Sequence, residues 1–407
     1  MSVTIERLGH KGEGIAPGTV FVPGALPGEI VEGDIVKGRL EHPKIQTPSP
    51  DRVRAPCPHY KRCGGCNLQH ARDEFVEAWK VERVTSALSA HGIEARVRSI
   101  HTSPPATRRR AVFSGRRLKK GVEVGFHTRA SDQVVPVPDC LVLRPTLLAA
   151  RDALGGIVSQ IGSRKGELRL MVTDSDTGLD VSVSGAKPLA RDDIETLVGI
   201  MASADIARLV VDGEIVATRR QPTLRMGQAD VPLPPGAFLQ ATAEGEAALV
   251  GAVSDALDGA KGSVADLFAG VGTFALPLAS RASVHAVEGL DQLTGALDKG
   301  WRHAKGLRQV TTETRDLFRR PLLVGELQKF GGVVVDPPRA GAEAQTREIA
   351  EARVPFVAMV SCNPITFARD AAILMRAGYE LDWVDVVDQF RWSAHVELAA
   401  RFRQPKT

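Results

Sequence analysis

Asp266-Leu267-Phe268-Ala269-Gly270-Val271-Gly272-Thr273-Phe274-Ala275 is the stretch whose reading decides the fold. Its apolar start, Val264 to Phe268, has the character of a buried strand, and Thr273 to Ala275 opens a helix. Between them Gly270 and Gly272, with Ala275, satisfy the loose G-x-G-x-x-G/A form that brings a nucleotide cofactor against a helix start. Sixteen residues after Gly272, Glu288 ends the next strand-like run, Val284 to Val287. An acid at a strand's carboxyl end accepts hydrogen bonds from ribose hydroxyls. At this point NAD and S-adenosylmethionine both remain open.

Toward the C-terminus the alternation of strand and helix continues. Gly332 to Val335 and Phe356 to Val360 read as strands, Leu290 to Lys305 and Ile365 to Ala377 as helices. This pattern predicts a doubly wound α/β domain with a mostly parallel, Rossmann-like sheet over 236–407. Two strands end in chemistry: Asp336-Pro337-Pro338-Arg339-Ala340-Gly341, and Ser361-Cys362-Asn363-Pro364. Both lie where open α/β sheets bind ligands. Cys362 stands in a polar turn, whereas a structural cysteine is normally set among apolar neighbours. His395-Val396-Glu397 begins a last strand able to return beside the sheet.

Toward the N-terminus the pattern changes. Residues 1–52 are punctuated by glycine and proline around short strands at Val3 to Ile5, Thr19 to Val22 and Ile30 to Gly38, which predicts a small barrel of the oligonucleotide-binding type. Pro43 to Pro58 reads as a linker, and Phe75, Val76, Trp79, Val84 and Leu88 mark one face of a helix that Gly92 can end. Residues 53–235 then form a mixed α+β central domain.

The formal net charge of +4 conceals an asymmetry: Arg96 to Arg129 holds ten basic residues and one acid, Glu123, for +9 in 34 residues, leaving −5 on the rest. The run Arg108-Arg109-Arg110, followed by Arg116, Arg117, Lys119 and Lys120, reads as a hairpin laying cations on the phosphates of a polyanion; the alternative is a solvated basic face. Four of the five cysteines form a second constellation, Cys57-x5-Cys63-x2-Cys66 with Cys140 after 73 intervening residues, and Gly64-Gly65 lets the loop close tightly. Four thiolates suit zinc or an iron–sulfur cluster, and His59 and His70 keep zinc open. No run approaches the ~18 apolar residues of a membrane span, and the start lacks the features of a signal peptide. A cytoplasmic protein with no membrane association is expected.

Taken together, Phe238-Leu239-Gln240, Asp266 to Pro277, Asp336 to Gly341, Ser361 to Pro364 and His395 to Glu397 resemble the RNA uracil-5-methyltransferase family, closest to the bacterial branch acting on 23S rRNA. Gly9 to Ala16 and Ala25 to Glu29 resemble the TRAM domain, an RNA-binding barrel. The resemblance implies S-adenosylmethionine held by Gln240, Phe268, Glu288, Asp316 and Asp336, Cys362 as nucleophile and Glu397 as base. It also implies a 4Fe–4S cluster on Cys57, Cys63, Cys66 and Cys140, so that with Cys362 all five cysteines have a role. Two departures stand out: Ala269 where many members have cysteine, and Thr242 where asparagine is common.

The residue types suit the reaction. Uracil C5 is a poor nucleophile until a thiolate adds at C6, and a base must then remove the C5 proton so that the thiolate leaves. Structured RNA is the expected partner, rRNA ahead of tRNA, with the protein acting as a monomer and no obligate protein partner. An RNA cytosine-5-methyltransferase would usually show a second active-site cysteine. A base-amino methyltransferase often has an aromatic residue where Arg339 follows Asp336-Pro337-Pro338. A non-catalytic iron–sulfur RNA-binding protein would not need Glu288, Asp336, Cys362 and Glu397 together.

Overall fold

The computed structural model describes residues 1–405. The glycine turn lies at the centre of an eight-stranded sheet ordered Val310–Thr314, Val284–Glu288, Ser263–Leu267, Phe330–Val335, Phe356–Ser361, Glu397–Arg403, Glu380–Asp388, Val97–Thr102. The first five strands run parallel, Glu397–Arg403 is antiparallel to both its neighbours, and Val97–Thr102 runs parallel to Glu380–Asp388. Val333, Val334 and Val335 are wholly buried, as a parallel strand covered on both faces requires. Helices Asp291–His303, Glu343–Ala352 and Pro364–Arg376 cover the sheet, each close to its expected place where one was expected.

The domain boundaries differ from the linear reading. Helix Asp73–Ser89 and strand Val97–Thr102, expected in the central region, belong to the C-terminal sheet: Val84, Leu88 and Ile93 share a core with Val335, Phe367 and Phe402. The hairpin Thr223–Met226 and Ala229–Pro232 likewise shares a core with Leu276 and Leu297. Val97–Thr102 and Glu380–Asp388 were not recognised as strands. Both carry polar residues within the run, and a distant pairing partner is invisible to a local pattern.

The central region is a seven-stranded sheet ordered Val134–Val135, Val122–His127, Arg110–Arg117, Glu167–Ser175, Gly178–Ser184, Ile206–Val211, Glu214–Thr218. Helices Arg151–Ile161 and Arg191–Ser203 share its core through Leu154, Ile157, Leu197 and Met201. The N-terminal six-stranded sheet has a small core of its own, built from Ile5, Ala16, Val22, Ala25, Val31 and Leu40. The fully buried Glu29 accepts from the Leu26 and Ser49 amides and pairs with Arg52. The stretch read as a linker from Pro43 is strand Arg39–Thr47 at its start. Among the described residues no helix is long and apolar enough to cross a membrane.

Candidate active site

At the carboxyl ends of the parallel strands lies a cavity of about 620 Å³, lined by all seven residues that the sequence singled out here: Gln240, Phe268, Glu288, Asp316, Asp336, Cys362 and Glu397. The glycine turn shapes one wall. Phe268 leaves its strand with φ 64°, a left-handed conformation costly for an aromatic residue. Gly272, at φ 101°, lies so close to Leu276 and Leu297 that a Cβ would sit 2.9 Å from each. Glu288 closes the turn: its carboxylate accepts from Gly270 N–H at 3.0 Å, Gly289 N–H at 2.7 Å and Leu290 N–H at 3.1 Å. Asp316 accepts from the Phe318 amide at 3.0 Å, and the Phe318 ring lies 5.4 Å from that of Phe268. These two rings and the Glu288 and Asp316 carboxylates make a wall suited to an aromatic base and its ribose.

The opposite wall is acidic and desolvated. Burial pushes the Asp336 carboxyl up to about 7. Glu397, 4% exposed, is pushed up to about 8 by burial and then by Asp336. Asp266 is fully buried; burial and the Asp336 charge raise it well above the ordinary range, opposed by the nearby Ala275 amide. Three raised carboxyls against Arg339, a largely exposed base at the rim, leave a site short of positive charge. A ligand bearing a sulfonium and an ammonium supplies it. Cys362 is pushed up to about 11 by burial and then by the Glu397 and Asp336 charges. Asn363 fixes its turn, capping helix Pro364–Arg376 through Ile365 N–H at 3.2 Å and donating to the Arg339 carbonyl at 2.9 Å.

Some residues of the site were not read from the sequence. Phe318, Phe390 and His395 line the cavity, and Phe238, 62% exposed, stands on its wall. Phe238 and His395 lay inside quoted motifs; Phe318 and Phe390 had no local signal. The basic hairpin exists, Arg110–Arg117 pairing with Val122–His127, but it is not a uniform phosphate clamp. Arg109 is 2% exposed; its Nε donates to the Gln240 carbonyl at 3.0 Å, its backbone N–H to the Ala241 carbonyl, and its guanidinium pairs with Glu246. It is a strut behind Gln240, because a buried guanidinium must be fully paired. Arg116 is paired with Glu167, while Arg108 and Arg110 lie over the rings of Phe390 and Phe238.

A second cavity, of about 240 Å³, is lined by Cys57, Cys63, Cys66 and Cys140 together with His59 and Arg108. Gly64 lets the loop dock: its N–H donates to the His127 carbonyl at 2.8 Å, which a Cβ would approach to 3.0 Å. Burial raises the Cys63 and Cys140 thiols and takes Cys66 to about 11. His70 is turned to Tyr60, its Nδ1 2.6 Å from the phenol, and does not line the cavity. Among the described residues no group of three or more His, Cys, Asp or Glu side chains is close enough to hold a single metal ion. All four cysteines line this one cavity. Phe390, Arg391 and Ser393 also line this cavity, so the 389–395 loop is a wall common to both.

A family model for tRNA (Uracil-5-)-methyltransferase matches residues 302–403. The chain is 43% identical over 401 residues, 98% of this chain and 96% of the relative, to a Brucella suis biovar 1 protein described as an uncharacterised RNA methyltransferase. It is 34% identical, over 98% of this chain and 92% of the relative, to the 23S rRNA (uracil(1939)-C(5))-methyltransferase RlmD of Pseudomonas putida. The fold is similar, at TM-score 0.77 and 24% identity over 99% of both chains, to that of the Pyrococcus abyssi tRNA (uracil-54, C5)-methyltransferase in complex with S-adenosyl-L-homocysteine. Relatives of that identity, matched over nearly their full length, and a fold shared from end to end place the chain in the RNA uracil-5-methyltransferase family.

Proposed function

We propose that the protein transfers a methyl group from S-adenosylmethionine to C5 of a uridine in 23S rRNA, with Cys362 as covalent nucleophile and Glu397 as the base that removes the C5 proton. The observation that carries this reading is the meeting of Cys362 and Glu397 in one cavity with Gln240, Phe268, Glu288, Asp316 and Asp336. The bound cofactor supplies the electrophilic methyl group. Cys362 adds to C6 and leaves electron density at C5; after methylation Glu397 takes the C5 proton, and the Cys362–C6 bond breaks to restore the ring. Glu397 suits the last step because its burial matches its proton affinity to neutral pH. The uridine must leave its stack to enter, and Phe238, exposed with the Arg110 guanidinium over its ring, offers it a surface on the way in.

The RlmD relative, matched over nearly its whole length, favours ribosomal RNA; the tRNA methyltransferases of the matching family model and of the similar Pyrococcus abyssi fold support transfer RNA as a second reading. The N-terminal sheet is read as a TRAM-type RNA-binding domain. The four cysteines of the second cavity are read as ligands of a 4Fe–4S cluster with a structural role, since methyl transfer moves no electron between protein and substrate. Support for the cluster comes from the four thiols facing one cavity and from the family resemblance.

The test is tritiated methyl transfer from S-adenosylmethionine to unmodified 23S rRNA and to unmodified tRNA, followed by nucleoside analysis. 5-Methyluridine in 23S rRNA alone is the expected product. Methylation confined to tRNA shifts the substrate to the second reading, and methylation of cytosine or of an exocyclic nitrogen overturns the chemistry.

A further inference from the structure

Gln389 is 1% exposed, directly after strand Glu380–Asp388, and none of the roles above uses it. Its Oε1 accepts from the Ala241 N–H at 2.7 Å and the Thr242 N–H at 3.4 Å. Two backbone amides can only donate, so they fix which way the Gln389 amide points. Its Nε2 then faces Gln240 and donates to Gln240 Oε1 at 2.5 Å. The opposite flip of Gln240 would set two NH2 groups head to head. Gln240 Oε1 is therefore committed to Gln389, and both Gln240 N–H groups are turned away from it. Gln240 lines the catalytic cavity, and Arg109 holds its carbonyl from behind.

One Nε2 hydrogen of Gln389 remains. Val387 pairs directly with Glu397 across the two strands, so their side chains share a face, and Gln389 follows two residues on, just past the strand's end. The Gln389 amide lies near enough to Glu397 to favour its ionised form. Gly245 packs closely against Gln389: a Cβ there would lie 2.9 Å from the Gln389 Cβ.

We propose that Gln389 is a positioning residue that turns the Gln240 amide donors toward the cofactor while lying beside the Glu397 carboxylate, so that one side chain sets the cofactor seat and borders the proton-removing group. The proposal rests on the function proposed above. The charged and titratable groups around Glu397 are Asp336 and Cys362, with Arg339 and His395 lining the same cavity.

The experiment uses the full chain, with S-adenosylhomocysteine binding by calorimetry and the pH profile of kcat for RNA methylation. Gln389→Glu keeps an acceptor for the two backbone amides and removes the N–H donors. It should weaken S-adenosylhomocysteine binding about tenfold, the effect of one mismatched buried hydrogen bond. It should also move the acidic limb of kcat up by about one pH unit, because a second carboxyl then faces Glu397. Gln389→Met, close in volume, should weaken binding similarly and serves if Gln389→Glu does not fold. In a Gln240→Ala background, Gln389→Glu should weaken binding no further. A folded Gln389 variant with wild-type affinity and an unmoved limb overturns the proposal, as does full additivity with Gln240→Ala. Failure of the wild-type chain to bind S-adenosylhomocysteine, or to methylate RNA, would instead overturn the underlying function.

Discussion

In the proposed reaction Cys362 meets its substrate as a thiol. Burial and two nearby carboxylates hold its proton affinity far above neutral pH, so the thiolate must be generated within the complex. Among the neighbouring charges, that of Glu397 raises the Cys362 thiol most. Cys362→Ala should bind S-adenosylhomocysteine within about threefold of wild type, a change of under 1 kcal/mol, and yield no methylated RNA; near-normal turnover in a folded variant removes covalent catalysis. Glu397→Gln should stop after methyl transfer, and denaturing electrophoresis with labelled RNA should show a protein–RNA adduct that Cys362→Ala abolishes. The raised carboxyls also make a prediction for pH. A carboxyl whose affinity for its proton rises on folding favours the folded state at low pH, and loses that advantage as pH rises through its folded-state value. For Asp336, about 7, and Glu397, about 8, the loss spans roughly pH 4 to 8. The thermal midpoint of the free protein should fall across neutral pH. A sulfonium ligand favours the ionised carboxylates, so S-adenosylmethionine should release more protons on binding than neutral S-adenosylhomocysteine. Calorimetry in buffers of different ionisation heat measures the difference.

Elements decide what a local reading can see. The turn from Asp266 to Ala275 was legible because strand, glycine pair and helix start follow one another, and each constrains the next. Cys362 and Glu397 were legible because each stands at a strand end within a compact motif. Gln389 was not, because its partners Gln240, Ala241 and Thr242 come nearly 150 residues earlier. Arg109 was misread for the same reason: three consecutive arginines look alike until the fold buries the middle one. This separates their mutants. Arg109→Met should weaken cofactor binding about tenfold, through the unsupported Gln240 carbonyl, with an unchanged salt slope for RNA. Replacing Arg108 and Arg110 should flatten that slope by about 0.7–0.9 per lost phosphate contact. Fluorescence polarisation across a salt series distinguishes the two.

At the scale of the whole molecule, the shared wall between the two cavities ties the cysteine loop to the catalytic loop. The Asn67 and Leu68 amides both donate to the Trp392 carbonyl, and Asp73 pairs with Arg391. Lys80 and Asp388, both wholly buried, join helix Asp73–Ser89 to the start of the same loop. Cys140→Ala should therefore lower stability and RNA methylation while leaving S-adenosylhomocysteine affinity near wild type. Anaerobically purified wild-type protein should be brown, with about four irons and matching acid-labile sulfide per chain. A colourless protein holding one zinc, or no metal, would refute the cluster. None of this coupling is visible in the sequence, since it rests on three-dimensional neighbours that composition and spacing do not encode.

The strand Glu397–Arg403 lies between Phe356–Ser361 and Glu380–Asp388, although it follows both in the chain. During synthesis, those two strands emerge with open edges and wait for the one that joins them. Glu397, the proposed base, is carried on that same late strand, so a nascent chain can hold Cys362 before it holds Glu397. Such edges are templates for pairing between molecules. A ribosome stalled before Glu397 therefore leaves a product that is prone to aggregate and lacks the proposed base.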